Sequence, residues 1–73
     1  MTANEMLKRL KKSYPESIVK VVSDDNVHFF VEVESKLFTG LSRIEQHQQV
    51  MKIFDTELKT GELHAMQLKT KII

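Results

Sequence analysis

Residues 18–34, IVKVVSDDNVHFFVEVE, decide how the chain is organised. Two runs of β-branched and aromatic residues flank a polar Ser-Asp-Asp-Asn segment, a pattern that predicts an antiparallel β-hairpin. In the second run an apolar side formed by Phe29, Val31 and Val33 alternates with a mostly polar side that begins at His28. A strand with only one apolar face predicts a sheet that helices cover on one side.

A helix is predicted before the hairpin. Thr2 and Glu5 have capping-box spacing, and Pro15 prevents the helix from continuing. The apolar residues between them recur with helical period: Met6, Leu7, Leu10 and Tyr14. Most of the neighbouring basic side chains fall on the other side, and we interpret them as a solvated helix face rather than a nucleic-acid patch.

A second helix and a last strand are predicted after the hairpin. Ser42 and Glu45 form another capping box, which opens a helix over residues 42–58 that ends before Gly61. Its predicted buried stripe is Ile44, His47, Met51, Phe54 and Leu58. Residues 63–72, LHAMQLKTKI, then alternate as a strand, with His64, Met66 and Leu68 on one side.

The order helix-strand-strand-helix-strand predicts a small α+β domain over residues 1–73, with a three-stranded mixed sheet and helices on one face. At 73 residues the chain is too short to enclose a large substrate cavity. It contains no cysteine, which excludes zinc fingers, disulfides and thiol redox motifs. No apolar stretch is long enough to span a bilayer, so we expect a cytoplasmic protein without a membrane partner.

Enzymatic chemistry finds little support in the sequence. The motifs of metalloproteases, serine hydrolases, P-loop proteins and dinucleotide-binding proteins do not occur, and two glycines are too few to build a phosphate-cradling loop. The formal net charge of +1 does not give the overall basic character of a dedicated nucleic-acid binder. We therefore expect a protein that is not an enzyme.

The three histidines are the remaining candidates for functional residues, as metal ligands. His47 lies on the predicted stripe of the second helix, where we interpret it as a residue at the edge of the core. His64 stands at the head of the last strand, and His28 opens the second strand, so the two could donate to one metal or be ordinary surface residues. The residues alone favour the structural interpretation, because two histidines do not complete a tetrahedral metal site.

The ordered motifs of the chain resemble the BolA family. That family has a His-Phe strand, a segment close to F-x-G-x-S, a helix with a histidine three residues before a valine, and a final H-A-x-x-x-K-T strand. The matching residues in this chain are Phe38, Gly40, Ser42, His47, Val50, His64, Ala65, Lys69 and Thr70. The resemblance covers residues 1–70 and implies a fold like a type II KH domain.

The resemblance also implies a function. BolA-like proteins are partners of monothiol glutaredoxins, with which they share a [2Fe-2S] cluster in iron-sulfur trafficking or iron homeostasis. It implies that His64 binds the cluster, and His28 is the nearest candidate for the second ligand. If both strands are regular, alternation turns these two side chains to opposite sides. The cluster is expected only in a complex with glutaredoxin and glutathione, and the free protein is expected to be a monomer or a weak homodimer.

A KH-like fold gives an alternative function, a nucleic-acid-binding transcriptional regulator with DNA as its partner. Arg43, Lys69 and Lys71 are the basic residues that could contact phosphates. The segment FTGLSR has a single glycine where a KH domain uses a GxxG loop. Gln46 and Gln48 stand where many BolA relatives carry arginines. We therefore expect nucleic-acid binding to be the weaker of the two hypotheses.

Overall fold

The computed structural model describes residues 1–73, with Ala65 described only as part of its strand. Its helices are α1 (Ala3–Ser13), α2 (Arg43–Ile53) and α3 (Asp55–Thr60), and its strands are β1 (Ile18–Val22), β2 (His28–Glu34) and β3 (Ala65–Lys71). A single 3-10 turn, Lys36–Phe38, follows β2. The predicted α+β class is confirmed. No helix in the described part of the chain is long and apolar enough to cross a membrane.

The three strands form one mixed sheet in the order β1-β2-β3. β1 pairs with β2 in antiparallel fashion, with Val21 opposite Val31, and β2 pairs with β3 in parallel, with Val31 opposite Leu68. Phe29, Val31 and Val33 are at most 3% exposed, while the residues between them point to the uncovered face. This alternation confirms the face assignment predicted for β2, and it places the core between that face and the helices.

α1 packs on the sheet through the stripe predicted for it. The hydroxyl of Thr2 accepts the backbone N–H of Glu5 at 3.2 Å and so caps the first turn. Met6, Leu10 and Tyr14 are buried, and the Tyr14 ring lies 5.2 Å from that of Phe38 between centroids. A buried tyrosine usually needs a hydrogen-bond partner for its hydroxyl. The hydroxyl of Tyr14 donates to the side-chain oxygen of Gln49 at 2.9 Å.

The prediction of one long helix over residues 42–58 is wrong, because two helices occupy this segment. The capping box of Ser42 and Glu45 opens α2 as predicted, but the backbone leaves helical geometry at Phe54 (φ −108°, ψ 21°) before α3 begins. Phe54 is fully buried at this break. No proline or glycine stands there, so the sequence offers no local signal for it.

The predicted buried stripe of α2 is also wrong in part. Ile44 is 70% exposed and Met51 44% exposed, whereas Val50 and Gln46 face the core. Gln46 can be buried because its amide donates to the carbonyl of Leu41 at 3.0 Å, which satisfies a polar group that would otherwise be costly to desolvate. The buried face of α2 therefore contains Val50 and a satisfied Gln46 in place of Ile44 and Met51.

His47 is half-buried on α2, as expected for a residue at the edge of the core. The last strand begins later than predicted, at Ala65, so His64 precedes it. Leu63 is 1% exposed and anchors the segment before the strand, while His64 is exposed. The side on which His64 lies is therefore not governed by strand alternation.

Candidate functional site

The parallel pairing of β2 with β3 brings His28 and His64 to the same end of the sheet. His28 is opposite Ala65 in the register, and His64 is the residue immediately before Ala65. Neighbouring strands lie about 4.8 Å apart and consecutive Cα atoms about 3.8 Å, so the two histidine Cα atoms are at most about 9 Å apart. Both side chains are exposed. The structure thus brings two exposed histidines from distant parts of the chain to one accessible end of the sheet.

The loop between β1 and β2 holds the imidazole of His28. Its Nδ1 atom lies 3.0 Å from Oδ2 of Asp25, and the imidazole is otherwise open to solvent, with 75% of the side chain exposed. The hydroxyl of Ser23 donates to the carbonyl oxygen of His28 at 2.7 Å and accepts the N–H of Asn26 at 2.9 Å. These contacts fix the backbone of His28 and engage the Nδ1 side of the imidazole, while most of the side chain is open to solvent.

The carboxylate of Asp25 organises this loop. Its Oδ1 atom accepts the backbone N–H groups of Val27 and His28, each at 2.9 Å. The hydrogen bond from the backbone of His28, followed by the contact with the His28 side chain, holds the pKa of Asp25 far below its usual range. Asp25 is therefore an ionised hydrogen-bond acceptor at neutral pH.

His64 is placed by the turn that follows α3. Gly61 ends this helix in the left-handed conformation (φ 81°), and a Cβ atom at Gly61 would lie 3.7 Å from Cε1 of His64. The N–H of Leu63 donates to the carbonyl of Glu57 at 3.0 Å, which folds the segment back on α3. Since the buried Leu63 side chain anchors the preceding position, the exposed His64 side chain is presented from a fixed backbone.

An open depression of about 410 Å³ lies beside His28 on the uncovered face of the sheet. Val22 and Phe30 are opposite each other in the register and are 57% and 38% exposed, and Gln67 on β3 is opposite Phe30 on its other side. This apolar pair sits next to a polar imidazole in a shallow surface rather than in an enclosed cavity. The geometry suits contact with another macromolecule better than enclosure of a small substrate.

The chain supplies only part of a metal ligand set at this end of the sheet. It has no cysteine, and the described residues contain no group of three or more His, Cys, Asp and Glu side chains that could hold a metal ion. Two neutral imidazoles suit borderline metals such as iron and zinc, but further ligands have to come from another molecule. The donor set therefore fits a metal centre shared with a partner.

The basic residues of the nucleic-acid hypothesis do not form one patch. Arg43 opens α2 in the helical layer, whereas Lys69 and Lys71 lie on the uncovered face of the sheet. The Nζ atom of Lys69 is 3.9 Å from a carboxylate oxygen of Glu32, and Lys71 is opposite Glu34 in the register. Alternating charges on one face do not attract a phosphate backbone strongly.

The sequence predicts both histidines as candidate site residues but does not predict a role for Asp25. The Ser-Asp-Asp-Asn segment predicts only a turn, although an Asp three residues before a histidine can reach both the backbone N–H and the imidazole. The expectation that strand alternation turns His28 and His64 apart does not apply, because His64 lies outside β3. The ligand roles of the two histidines remain predictions.

Comparisons with known proteins agree with the motif pattern. A family model described as BolA-like protein matches residues 5–72. Protein RP812 of Rickettsia prowazekii is 36% identical over 72 residues, which cover 96% of this chain and 92% of that protein. The NMR structure of RP812, a BolA-like hypothetical protein, matches 100% of this chain and 96% of its own with a TM-score of 0.72.

Two plant structures are similar over almost the same length. BolA1 from Arabidopsis thaliana has a TM-score of 0.74 at 33% identity and covers 96% of this chain and 89% of its own. The BolA domain of SufE1 from the same plant has a TM-score of 0.75 at 28% identity, with coverage of 96% and 90%. The similarity therefore extends over the whole fold, including both ends of β2 and β3.

Proposed function

Because the chain belongs to the BolA family, we propose that it is a non-enzymatic partner of a monothiol glutaredoxin and shares a [2Fe-2S] cluster with it. The observation that carries this proposal is the parallel register of β2 and β3, which brings the Cα atoms of His28 and His64 to within about 9 Å of each other at one exposed end of the sheet. A ligand pair at an open end of the sheet suits a centre that is completed by a second protein. The proposed role is iron-sulfur cluster trafficking or iron homeostasis.

The division of ligands follows from the composition. A [2Fe-2S] cluster is normally held by four thiolates, and in Rieske centres two histidines replace two cysteines on one iron. This chain has imidazoles and no thiol, so His28 and His64 would serve one iron while glutaredoxin and glutathione supply thiolates to the other. The cluster, when bound, supplies a redox-active iron centre whose potential is raised by imidazole ligation.

The residues of this chain have a positioning role in the proposal. The β1–β2 loop fixes the ring of His28, the turn at Gly61 fixes the backbone before His64, and the neighbouring Val22 and Phe30 offer apolar surface to the partner. None of these side chains has to transfer a proton or form a covalent bond. This is the reason for proposing an adaptor rather than an enzyme.

The test is anaerobic reconstitution with a monothiol glutaredoxin, iron, sulfide and glutathione, read by visible circular dichroism. We expect the wild-type protein to form a mixed complex whose spectrum differs from that of the glutaredoxin homodimer. The protein alone is expected to retain no iron, because two imidazoles do not close a cluster site. A stoichiometric coloured cluster in the isolated protein would contradict the proposal.

His64→Ala separates a ligand from a structural histidine. The exposed side chain carries little packing, so the apo melting temperature should hardly change, while the spectrum and lifetime of the mixed cluster should change clearly. His28→Ala should behave in the same way. The control is His47→Ala on α2, which should affect stability more than the cluster because His47 is half-buried. Loss of thermal stability in His64→Ala with an unchanged cluster spectrum would refute the ligand assignment.

A further inference from the structure

The two carboxylate oxygens of Asp25 have different partners. Oδ1 accepts two backbone N–H groups, from Val27 and His28, and forms the turn that starts β2. Oδ2 lies 3.0 Å from Nδ1 of the His28 imidazole. Oδ1 therefore maintains the loop, and Oδ2 is free to act on the side chain of His28. This division allows the two effects of Asp25 to be separated.

The contact with Oδ2 determines which nitrogen of His28 carries the proton. An ionised carboxylate only accepts hydrogen bonds, so a hydrogen bond at this distance requires a proton on Nδ1. In a neutral imidazole the other nitrogen, Nε2, then has the free electron pair. An aspartate is ionised at neutral pH, and the two backbone N–H groups on Oδ1 keep this carboxylate beside the imidazole, so the tautomer is held there.

We infer that Asp25 is a positioning residue that locks the imidazole of His28 with Nε2 facing outward as the metal-donor atom. In metal sites, a carboxylate that accepts the other N–H of a ligating histidine fixes the orientation of the ring and increases its basicity. Here the same arrangement exists in the chain alone, on a side chain that is 75% exposed. The last step, from donor atom to cluster, rests on the proposed function.

Asp25→Asn tests the inference without removing the turn. The position of Oδ1 receives two N–H donors, which only an oxygen can accept, so the amide oxygen is expected to occupy it. The amide NH₂ then replaces Oδ2 and donates to Nδ1 of His28. The proton of the neutral ring is thereby forced to Nε2, and the outward nitrogen loses its free electron pair.

Asp24→Asn is the matched control. It removes the same charge from the adjacent position of the same loop, and the carboxylate of Asp24 is not among the hydrogen-bond partners of His28 in the described residues. A change that is caused by loop charge alone would appear in both variants. A change that requires the contact with Nδ1 would appear only in Asp25→Asn.

The first readout is the tautomer of His28 in the free protein, measured from long-range ¹H–¹⁵N correlations of the ring at a pH where the imidazole is neutral. Wild type and Asp24→Asn should show the proton on Nδ1, and Asp25→Asn should show it on Nε2. A wild-type ring with its proton on Nε2, or the same tautomer in wild type and Asp25→Asn, would overturn the inference. This measurement needs neither iron nor glutaredoxin.

The second readout is the mixed complex with glutaredoxin. Loss of a carboxylate partner of a ligating histidine typically weakens metal binding about 10- to 100-fold, and we expect Asp25→Asn to lose iron to a chelator correspondingly more readily than Asp24→Asn. If the wild-type complex forms and Asp25→Asn retains iron equally well, the link from Asp25 to the cluster is refuted. If wild type forms no complex, the proposed function fails, and the tautomer experiment still decides whether Asp25 locks the ring.

Discussion

Arg9 on α1 is hydrogen-bonded to Glu57 on α3 through both carboxylate oxygens. Glu57 is 8% exposed, and the guanidinium of Arg9 also lies 5.9 Å from the centre of the Phe54 ring. The paired geometry gives Arg9 an orientation that a lysine would not reproduce. This contact connects the first helix to the helix that was not predicted, next to the break at Phe54.

Glu57→Gln should lower stability in a pH-dependent way. The hydrogen bond from Arg9 holds the pKa of Glu57 below its usual value, so the folded state favours the ionised carboxylate. The resulting stabilisation is present above the ordinary pKa of a glutamate and is lost as the pH falls through the lowered value. Melting temperatures of both proteins should differ clearly at neutral pH and converge in acid.

Asp55→Asn provides the comparison for that experiment. Asp55 is on the same helix, but its pair with Lys59 is solvent-exposed, and such pairs contribute little to stability. We expect only a small change in melting temperature at neutral pH. If Asp55→Asn destabilised the protein as much as Glu57→Gln, charge on α3 rather than the contact with Arg9 would be the cause.

At the scale of elements, α2 permits a direct test of which helix face is buried. Val50→Ala should cost about 2 kcal/mol, because it removes two buried carbons and leaves a cavity in the core. Ile44→Ala removes more carbon atoms but from a side chain that is 70% exposed, so its effect should stay within about 0.5 kcal/mol. Urea denaturation of both variants measures the difference. A larger loss of stability in Ile44→Ala than in Val50→Ala would instead support the buried stripe predicted from periodicity.

The sequence was sufficient for those elements in which local patterns and burial agree. The alternation of Phe29, Val31 and Val33 defined both faces of β2, and Pro15 marked the limit of α1. It was insufficient where a tertiary contact decides between local alternatives. Burial of Gln46 depends on the carbonyl of Leu41, and the break at Phe54 has no local signal.

The candidate site shows the same limit. Motif resemblance named His28 and His64, but their proximity depends on the register of two strands that are far apart in the chain. The role of Asp25 depends on the conformation of a loop, in which Asn26 adopts a positive φ of 57°. A turn signal predicts that such a loop exists and does not predict which side chain its carboxylate contacts.

At the scale of the whole molecule, β2 is the central strand of the sheet and should be its most protected part. Its amides lie between two partner strands and beneath the helices, whereas β1 and β3 each have a free edge. Hydrogen exchange measured by NMR should therefore be slowest in β2, since amides buried in the central strand open only with the global fold. Equal protection of the outward-facing amides of β1 would contradict this expectation.

The long connection from β2 to β3 also sets the order in which His28 and His64 can come together. The β1–β2 hairpin closes over a short loop, whereas residues 35–64, which form a turn and two helices, separate β2 from β3 in the chain. Closing this longer segment carries a larger entropic cost, so β3 is expected to dock late. A nascent or partly opened chain would therefore expose His28 without His64 beside it. Under the proposed function, a glutaredoxin that requires both imidazoles would share its cluster only with chains that have completed folding.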